Sequence, residues 1–124
     1  MITEKAVDYA SIQELYDGKC FCPKVNSKNG EANEETLFSY HQKGNIVWAE
    51  YMGGEVVRGN LIGTVDDDGT LNFYYHHINQ NHEVRIGKCH SVAHYGADGK
   101  LELHEEWQWL NADKSSGSSV LIEK

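Results

Sequence analysis

Histidine and glutamate side chains recur in the second half of the chain at spacings that suit proton transfer. The segment Phe73–Asn79, FYYHHIN, carries two tyrosines followed by two histidines. Further along, His90 and Glu105 fall on consecutive predicted strands, and a four-residue turn between those strands places the two side chains opposite each other. A carboxylate that orients an imidazole is the arrangement of a general acid and base. The alternative is a structural hydrogen-bonded pair.

The elements that position these residues are short strands separated by turns. From Gly18 onwards, turn segments such as Asn29-Gly30 and Asp66–Gly69 alternate with runs rich in valine, isoleucine, leucine and aromatic residues. The turns mark about eight strands, a number that suits a small closed barrel. The sequence therefore predicts an all-β fold, an antiparallel up-and-down barrel over residues 18–124.

Residues 1–17 differ from the rest of the chain. Ile2, Ala6, Tyr9 and Ile12 recur at helical spacing, and Asp17-Gly18 is a stop signal, so we expect one N-terminal helix packed on the barrel. The whole chain of 124 residues has the size of a single domain. No linker or low-complexity tract divides the sequence, which predicts one domain over residues 1–124.

Charge and composition limit the partners of the protein. The net charge of −8, with no cluster of lysine and arginine, argues against nucleic acid and anionic membranes as partners. No apolar run approaches a membrane span, and the N-terminus lacks the features of a signal peptide, so we expect a cytoplasmic protein. Cys20 and Cys22 form a C-x-C pair, but no second such pair accompanies them, so we predict thiols and no metal site. Nucleotide-binding and zinc-hydrolase motifs are absent from the sequence, and we expect no cofactor.

Alternation along the predicted strands assigns side chains to the inside or the outside of the barrel. Within FYYHHIN, Phe73, Tyr75 and His77 share one face, and the adjacent His76 points the other way. Loops of two or four residues carry this facing from strand to strand, whereas an odd loop or a bulge reverses it. The predicted apolar interior comprises Phe38, Tyr40, Val47, Ala49, Tyr51, Val56, Ile62, Leu71, Phe73, Val84, Ile86, Val92, Leu101, Leu103, Trp107, Trp109, Val120 and Ile122.

Polar residues also fall on the predicted inner face. Because burial of charged groups without partners is costly, a polar set inside a barrel of this size indicates a pocket for one small molecule. We predict a ligand that is partly apolar and carries an anionic or carbonyl group. Trp107, Trp109, Phe73 and Tyr40 are the predicted walls, and the predicted polar contacts are Arg58, Asn60, Tyr51, Tyr75, His77, Lys88, His90 and Glu105.

Two other functions are compatible with the same residues. One is a cofactor-free lyase or isomerase, in which His90 or Glu105 moves a proton while Arg58 and Tyr75 hold the developing anion. The other is an interaction protein without a ligand, since an apolar patch with Trp48, Leu61 and Tyr74 is predicted on the outer face. Such a patch requires a cover, and a homodimer through it is one way to supply that cover.

Several segments in order resemble a known protein family. GNIVWAEYMGGEVVRGNLIG, LNFYYHHIN, GKCHS, LELHEEWQW and GSS resemble a family of small bacterial proteins of about this length. Many members carry the label N-acetylglutamate synthase, and others have no assigned activity. The resemblance covers most of the chain after about Asn26. It implies a small barrel whose architecture is similar to calycin-like barrels such as lipocalins and fatty-acid-binding proteins.

Overall fold

Turn residues divide residues 12–124, the part of the chain that the structure describes, into strands that each pair with the next one along the sequence. The structure is a computed structural model. The last strand also pairs with the first, so eight antiparallel strands form a closed barrel, which confirms the predicted fold class. The strands are β1 (Cys20–Asn26), β2 (Leu37–Lys43), β3 (Ile46–Gly53), β4 (Val56–Val65), β5 (Leu71–Asn79), β6 (Val84–Tyr95), β7 (Leu101–Trp109) and β8 (Ser116–Glu123).

One end of the barrel is closed by the residues that precede β1. Ile12 and Tyr16 are buried there, and the backbone N–H of Tyr16 donates to Gln42 Oε1 at 3.0 Å. Gln42 Nε2 in turn donates to the carbonyl of Ile12 at 2.6 Å, and the Tyr16 hydroxyl donates to the carbonyl of Gly69 at 2.9 Å. We call residues 12–16, which are held in this way, the plug. It satisfies its own polar groups, so it can be buried at low cost.

The predicted N-terminal helix spans residues 1–17, and residues 1–11 lie outside the described part of the chain. The helix therefore stays a prediction over those residues; Ile12 is helical, and residues 13–18 form turns and bends that lead into β1. Within residues 12–124, no helix has the length and the apolar character that crossing a membrane requires.

Three hairpins share one loop geometry. Compared with the predicted loops of two or four residues, it reverses which side chains of the next strand point into the barrel. The last paired residues are Val65 and Leu71, Ile78 and Val84, and Tyr95 and Leu101, so each connection contains an odd number of residues. In each loop the fourth residue adopts a positive φ, which is 88° at Gly69, 62° at His82 and 81° at Gly99. This is the type I turn with a G1 bulge that is typical of three-residue hairpin loops.

Strand β4 also presents different side chains to the interior from those predicted, and here a bulge is the cause. A bulge between Val56 and Arg58 puts both Val57 and Arg58 on the outside, after which Leu61 is buried and Ile62 is exposed. The predicted inward facing of Arg58, Asn60 and Ile62 is wrong for this reason. The odd loop between β4 and β5 restores the predicted facing, so Leu71, Phe73 and His77 are buried as expected.

Strands β6 and β8 also present the opposite set of residues to the interior. Tyr75 pairs with Gly87, which places Cys89 and Ser91 inside and leaves Lys88, His90, Val84 and Ile86 exposed. The odd loop after β6 again restores the facing of β7. In β8, Ser119 and Leu121 are the buried residues, whereas Val120 and Ile122 were predicted. The predictions for β2, β3, β5 and β7 are confirmed by burial of Phe38, Tyr40, Val47, Ala49, Tyr51, Leu71, Phe73, Leu101, Leu103, Trp107 and Trp109.

Candidate functional site

The barrel encloses a cavity at the end opposite the plug. Its volume is about 60 Å³, and one water molecule needs roughly 10–15 Å³ by the same measure. Six phenylalanine, tyrosine and tryptophan side chains contribute to the wall, and polar side chains occupy its two ends. The cavity is lined by Pro23, Asn26, Gly30, Glu31, Ala32, Phe38, Tyr51, Leu61, Phe73, Tyr75, His77, Cys89, Glu105, Trp107, Trp109, Ser119 and Leu121.

Two glycines make room for the tyrosines of this wall. A Cβ atom on Gly59 would lie 2.4 Å from the ring of Tyr51, and one on Gly87 would lie 2.1 Å from the ring of Tyr75. Both distances are shorter than any real contact, so the rings occupy space that other residues would fill. The sequence of β4 and β6 thus determines where the Tyr51 and Tyr75 rings can lie.

The deep end of the cavity contains a carboxyl group with few partners. Glu105 on β7 is paired in register with Ser91 on β6 and Ser119 on β8, and all three side chains point inward. Glu105 Oε1 accepts a hydrogen bond from the Ser119 hydroxyl at 3.0 Å. Among residues 12–124, Glu105 Oε2 and the hydroxyls of Ser91 and Tyr40 are buried without a partner in hydrogen-bond geometry. Unsatisfied buried polar atoms are uncommon in folded proteins, and they mark places where a further group can bind.

Burial dominates the electrostatics of this end. Removal from water raises the pKa of Glu105 to about 7, although the nearby Ser119 and Ser91 hydroxyls favour the charged form. Burial likewise raises the pKa of Tyr40 and of Cys89 well above their usual ranges, and the charge of Glu105 adds to both shifts. The two groups are therefore neutral near pH 7, and Glu105 is the group that titrates there.

The mouth of the cavity holds a second carboxyl group, which has several partners. Glu31 lies on the loop between β1 and β2, and its Oε1 is 2.7 Å from His77 Nε2. Asn79 Nδ2 donates to both carboxylate oxygens, at 3.3 and 3.2 Å, and Arg85 Nη1 donates to Oε2. His77 Nδ1 lies 2.9 Å from the Tyr51 hydroxyl. Burial lowers the pKa of His77, against the opposing effect of Glu31, so the imidazole is held neutral with its proton towards Glu31.

The two tryptophans of the wall are bonded at the mouth, one to the last residue of β1 and the other to this loop. The indole N–H of Trp107 donates to Asn26 Oδ1 at 3.2 Å, and that of Trp109 donates to the carbonyl of Asn29 at 3.0 Å. The guanidinium of Arg85 lies over the Trp109 ring, 4.0 Å from its centroid. Residues 27–35 thus form a cover over the mouth, and we call them the covering loop. Gly30, Glu31 and Ala32 of this loop line the cavity.

The residues predicted from sequence fall into two groups. The first group lies inside the barrel as predicted and comprises Tyr40, Tyr51, Phe73, Tyr75, His77, Glu105, Trp107 and Trp109; all but Tyr40 line the cavity. Tyr40 lies deeper, in ring contact with Tyr16 and Phe21. The second group, whose side chains are exposed on the outer face, comprises Arg58, Asn60, Lys88 and His90.

The predicted acid–base pair is not formed. His90 pairs in register with Glu106, and its Nδ1 lies 2.9 Å from Asn72 Oδ1 on the outer face, whereas Glu105 points into the barrel. The loop after β5 is the physical cause, since its odd length turns His90 outwards. The structure therefore gives no support to a lyase or isomerase mechanism that uses His90 and Glu105 together.

The sequence reasoning missed three polar residues at the mouth, namely Glu31, Asn79 and Arg85. A loop of two or four residues before β6 puts Arg85 on the outer face. The actual loop has five residues, 79–83, and it puts Arg85 on the inner face. Glu31 belongs to a loop without a strand pattern, so no local signal identifies it. Cys20 and Cys22 do share a face of β1, as predicted, on the side opposite the buried Phe21.

A closed antiparallel barrel with an aromatic cavity, covered at one end and plugged at the other, defines a small-molecule-binding barrel. The family described as "Avidin-like protein" matches residues 14–124, and the chain belongs to this family. Avidin-like proteins are ligand-binding barrels, in agreement with the calycin-like architecture that the sequence predicts. The resemblance to proteins labelled N-acetylglutamate synthase finds no support in this match. No curated protein and no solved structure shows a significant match to the chain.

Proposed function

We propose that the protein binds one small, partly apolar molecule in the cavity between the covering loop and Glu105. The observation that carries this proposal is a buried carboxyl oxygen without a partner among the described residues, Glu105 Oε2, in a cavity walled by aromatic rings. Such rings supply the apolar contacts, and a few convergent polar groups fix orientation, as in most small-molecule sites. Because the cavity is small, the part of the ligand that enters is about the size of one ring or a short chain.

We propose a narrower choice of polar group for the ligand than the anionic or carbonyl group that the sequence predicted. An anionic group depended on Arg58, and that side chain is exposed on the outside. Arg85, at the mouth, already contacts the carboxylate of Glu31. Its Nε is buried without a partner among residues 12–124 and can donate to a neutral carbonyl group near the mouth, although Arg85 itself is not one of the residues that line the cavity. We therefore propose a carbonyl, and no longer an anion, as the group at the outer end of the ligand.

Tryptophan fluorescence tests the proposal, because the chain has three tryptophans and only Trp107 and Trp109 line the cavity. Biotin is the first compound to titrate, since avidin-like barrels bind it, followed by small aromatic amides and amines. We expect a ligand to change the emission of the Trp48→Phe variant and to leave that of the Trp107→Phe/Trp109→Phe double variant unchanged.

A signal that survives in the double variant would place the ligand near Trp48, on the outer face, and would contradict the proposed site. Native mass spectrometry of the protein purified without denaturation provides an independent measurement. A protein that carries no ligand and responds to no compound of the panel would end the proposal.

A second candidate function rests on the outer face of the barrel. Trp48, Ile62 and Tyr74 are consecutive register partners across β3, β4 and β5, with exposed fractions of 36, 60 and 62 %. Ile62 takes the place that was predicted for Leu61, which is buried. We propose that a second copy of the chain covers this row, since an exposed apolar row of this kind is typical of interfaces.

Light scattering coupled to size-exclusion chromatography tests the dimer. We expect Ile62→Glu to yield monomers, because it introduces a charge at the centre of the row. Val84→Glu is the matched control, since Val84 is also exposed, at 55 %, but lies outside the row. A wild-type protein that is monomeric at high micromolar concentration would contradict the dimer.

A further inference from the structure

We infer that the inner end of the ligand is an organic cation, an ammonium group that binds the carboxylate of Glu105. This inference rests on the proposed function and names the chemical class of the ligand for the same cavity. Glu105 is 8 % exposed and lines the cavity. Its Oε1 accepts one hydrogen bond, from Ser119, and its Oε2 is free among the described residues, so the carboxyl group can accept another donor from the cavity.

No positive side chain of the described barrel compensates a charge on Glu105. The titratable groups that face it are Cys89 and four tyrosines, and burial raises the pKa of each, so all are neutral near pH 7; the tyrosines are Tyr16, Tyr40, Tyr51 and Tyr75. The hydroxyls of Ser91 and Ser119 complete its surroundings. A buried carboxylate is costly unless it is paired, and a cation in the cavity is the partner that this barrel lacks.

The walls of the cavity favour the same chemistry. The rings of Phe73, Trp107 and Trp109 line the space above Glu105, and aromatic faces attract cations that lie within about 6 Å of the ring centre. An anion would instead meet the carboxyl groups of Glu105 and Glu31 in a chain of net charge −8. Burial raises the pKa of Glu105 to about 7, and a positive partner in the cavity would favour the charged form of this group at neutral pH.

Three probes of nearly equal size test the inference: benzylamine, benzyl alcohol and benzoate. Calorimetric titration at pH 8 is expected to show benzylamine binding at least about tenfold more tightly than benzyl alcohol, and benzoate not binding. Between pH 8 and pH 6 the affinity for benzylamine should fall roughly tenfold, because the ionised fraction of Glu105 falls by that factor when its pKa is about 7. The affinity for benzyl alcohol should change little over this range.

Glu105→Gln separates the carboxylate from the shape of the cavity. We expect this variant to bind benzylamine no more tightly than benzyl alcohol and to lose the pH dependence. Glu106→Gln is the matched control, because Glu106 is the next residue on β7 and is exposed on the outer face, and it should retain the preference of the wild type. Thermal unfolding of both variants reports that they are folded.

The possible failures of the two proposals can be told apart. Equal affinity for the amine and the alcohol, tight binding of benzoate, or a preference that persists in Glu105→Gln would overturn the cation and leave the cavity as a binding site. Absence of any binding, by the three probes and by the fluorescence panel alike, would overturn the proposed function itself. The pH dependence of the wild-type protein decides the question even if Glu105→Gln does not fold.

Discussion

Glu31 and Glu105 are both carboxyl groups at the cavity, and their surroundings are opposite in kind. Glu31, at the mouth, contacts His77, Asn79 and Arg85, so its charge is met by donors from the barrel itself. Glu105, at the deep end, accepts a hydrogen bond from Ser119 and has the Ser91 hydroxyl nearby, while its Oε2 has no partner in hydrogen-bond geometry among residues 12–124. The first acid is bound into the structure and holds a loop in place, whereas the second is left available to a ligand. We therefore expect Glu31 to contribute to the stability of the fold and Glu105 to contribute to binding.

The largest expected effect is a gain in stability on removing the deep charge. The pKa of Glu105 is raised from 4.5 to about 7, so the folded protein binds a proton that the unfolded chain releases between these values. The free energy of unfolding therefore falls as the pH rises from about 4.5 through 7. We expect Glu105→Gln to be more stable than the wild type at pH 8 by about 3 kcal/mol, and similar to it at pH 4.5. Urea unfolding at both pH values measures this difference.

An equal free energy of unfolding for Glu105→Gln and the wild type at pH 8 would contradict this expectation. It would mean that the charge on Glu105 is already compensated in the folded protein, and the contrast with Glu31 would then disappear.

Removal of the carboxyl group at the mouth should lower the free energy of unfolding, which is opposite to the effect expected at Glu105. Glu31→Ala leaves Arg85 and His77 half-buried or buried without their carboxylate partner, and we expect a loss of about 2 kcal/mol in the free energy of unfolding at pH 7. Urea unfolding again provides the measurement. Glu34→Ala is the control, because Glu34 is exposed in the same loop and should change stability by less than about 0.5 kcal/mol. A Glu31→Ala variant as stable as this control would show that the contacts at the mouth contribute little.

The smallest expected effect concerns the rate at which a ligand enters and leaves. Glu31→Gln keeps the size of the side chain but weakens its bonds to Arg85 and His77, so the covering loop should open more often. We expect association and dissociation of benzylamine both to accelerate by about threefold to tenfold, with little change in affinity. Stopped-flow fluorescence of the cavity tryptophans measures both rates. Rates that are unchanged in Glu31→Gln would show that the ligand reaches the cavity without opening this loop.

The class of fold could be predicted from the sequence because turn signals and apolar runs are local properties of the chain. Which side chains of β4, β6 and β8 point inwards was predicted wrongly, because bulges were not foreseen and the loops were expected to have two or four residues. Gly69 and Gly99 each follow an aspartate, and Asp-Gly at this place is a signal for the odd loop that the structure contains. His82 occupies the same conformation without such a signal. The length of that loop was predicted wrongly, so His90 was predicted inside and Arg85 outside, which is the reverse of their positions in the structure.

The inward position of Glu105 was predicted correctly because the errors in the lengths of two loops cancelled. The odd loops before and after β6 each reverse the strand, so β7 returns to its expected orientation and Glu105 points inwards. The contacts of Glu31 were beyond any prediction from periodicity, since they join residues that are 46 to 54 positions apart along the chain. Loop residues of this kind are positioned by long-range contacts, and these leave no trace in the local pattern.

The plug at Ile12 and Tyr16 makes the cavity a blind chamber. Under the proposed function, a ligand has no second route through the described barrel, so it enters and leaves at the mouth. The rates of binding and release should then depend on how the covering loop is held, and the contacts of Glu31 are the place where this dependence can be measured.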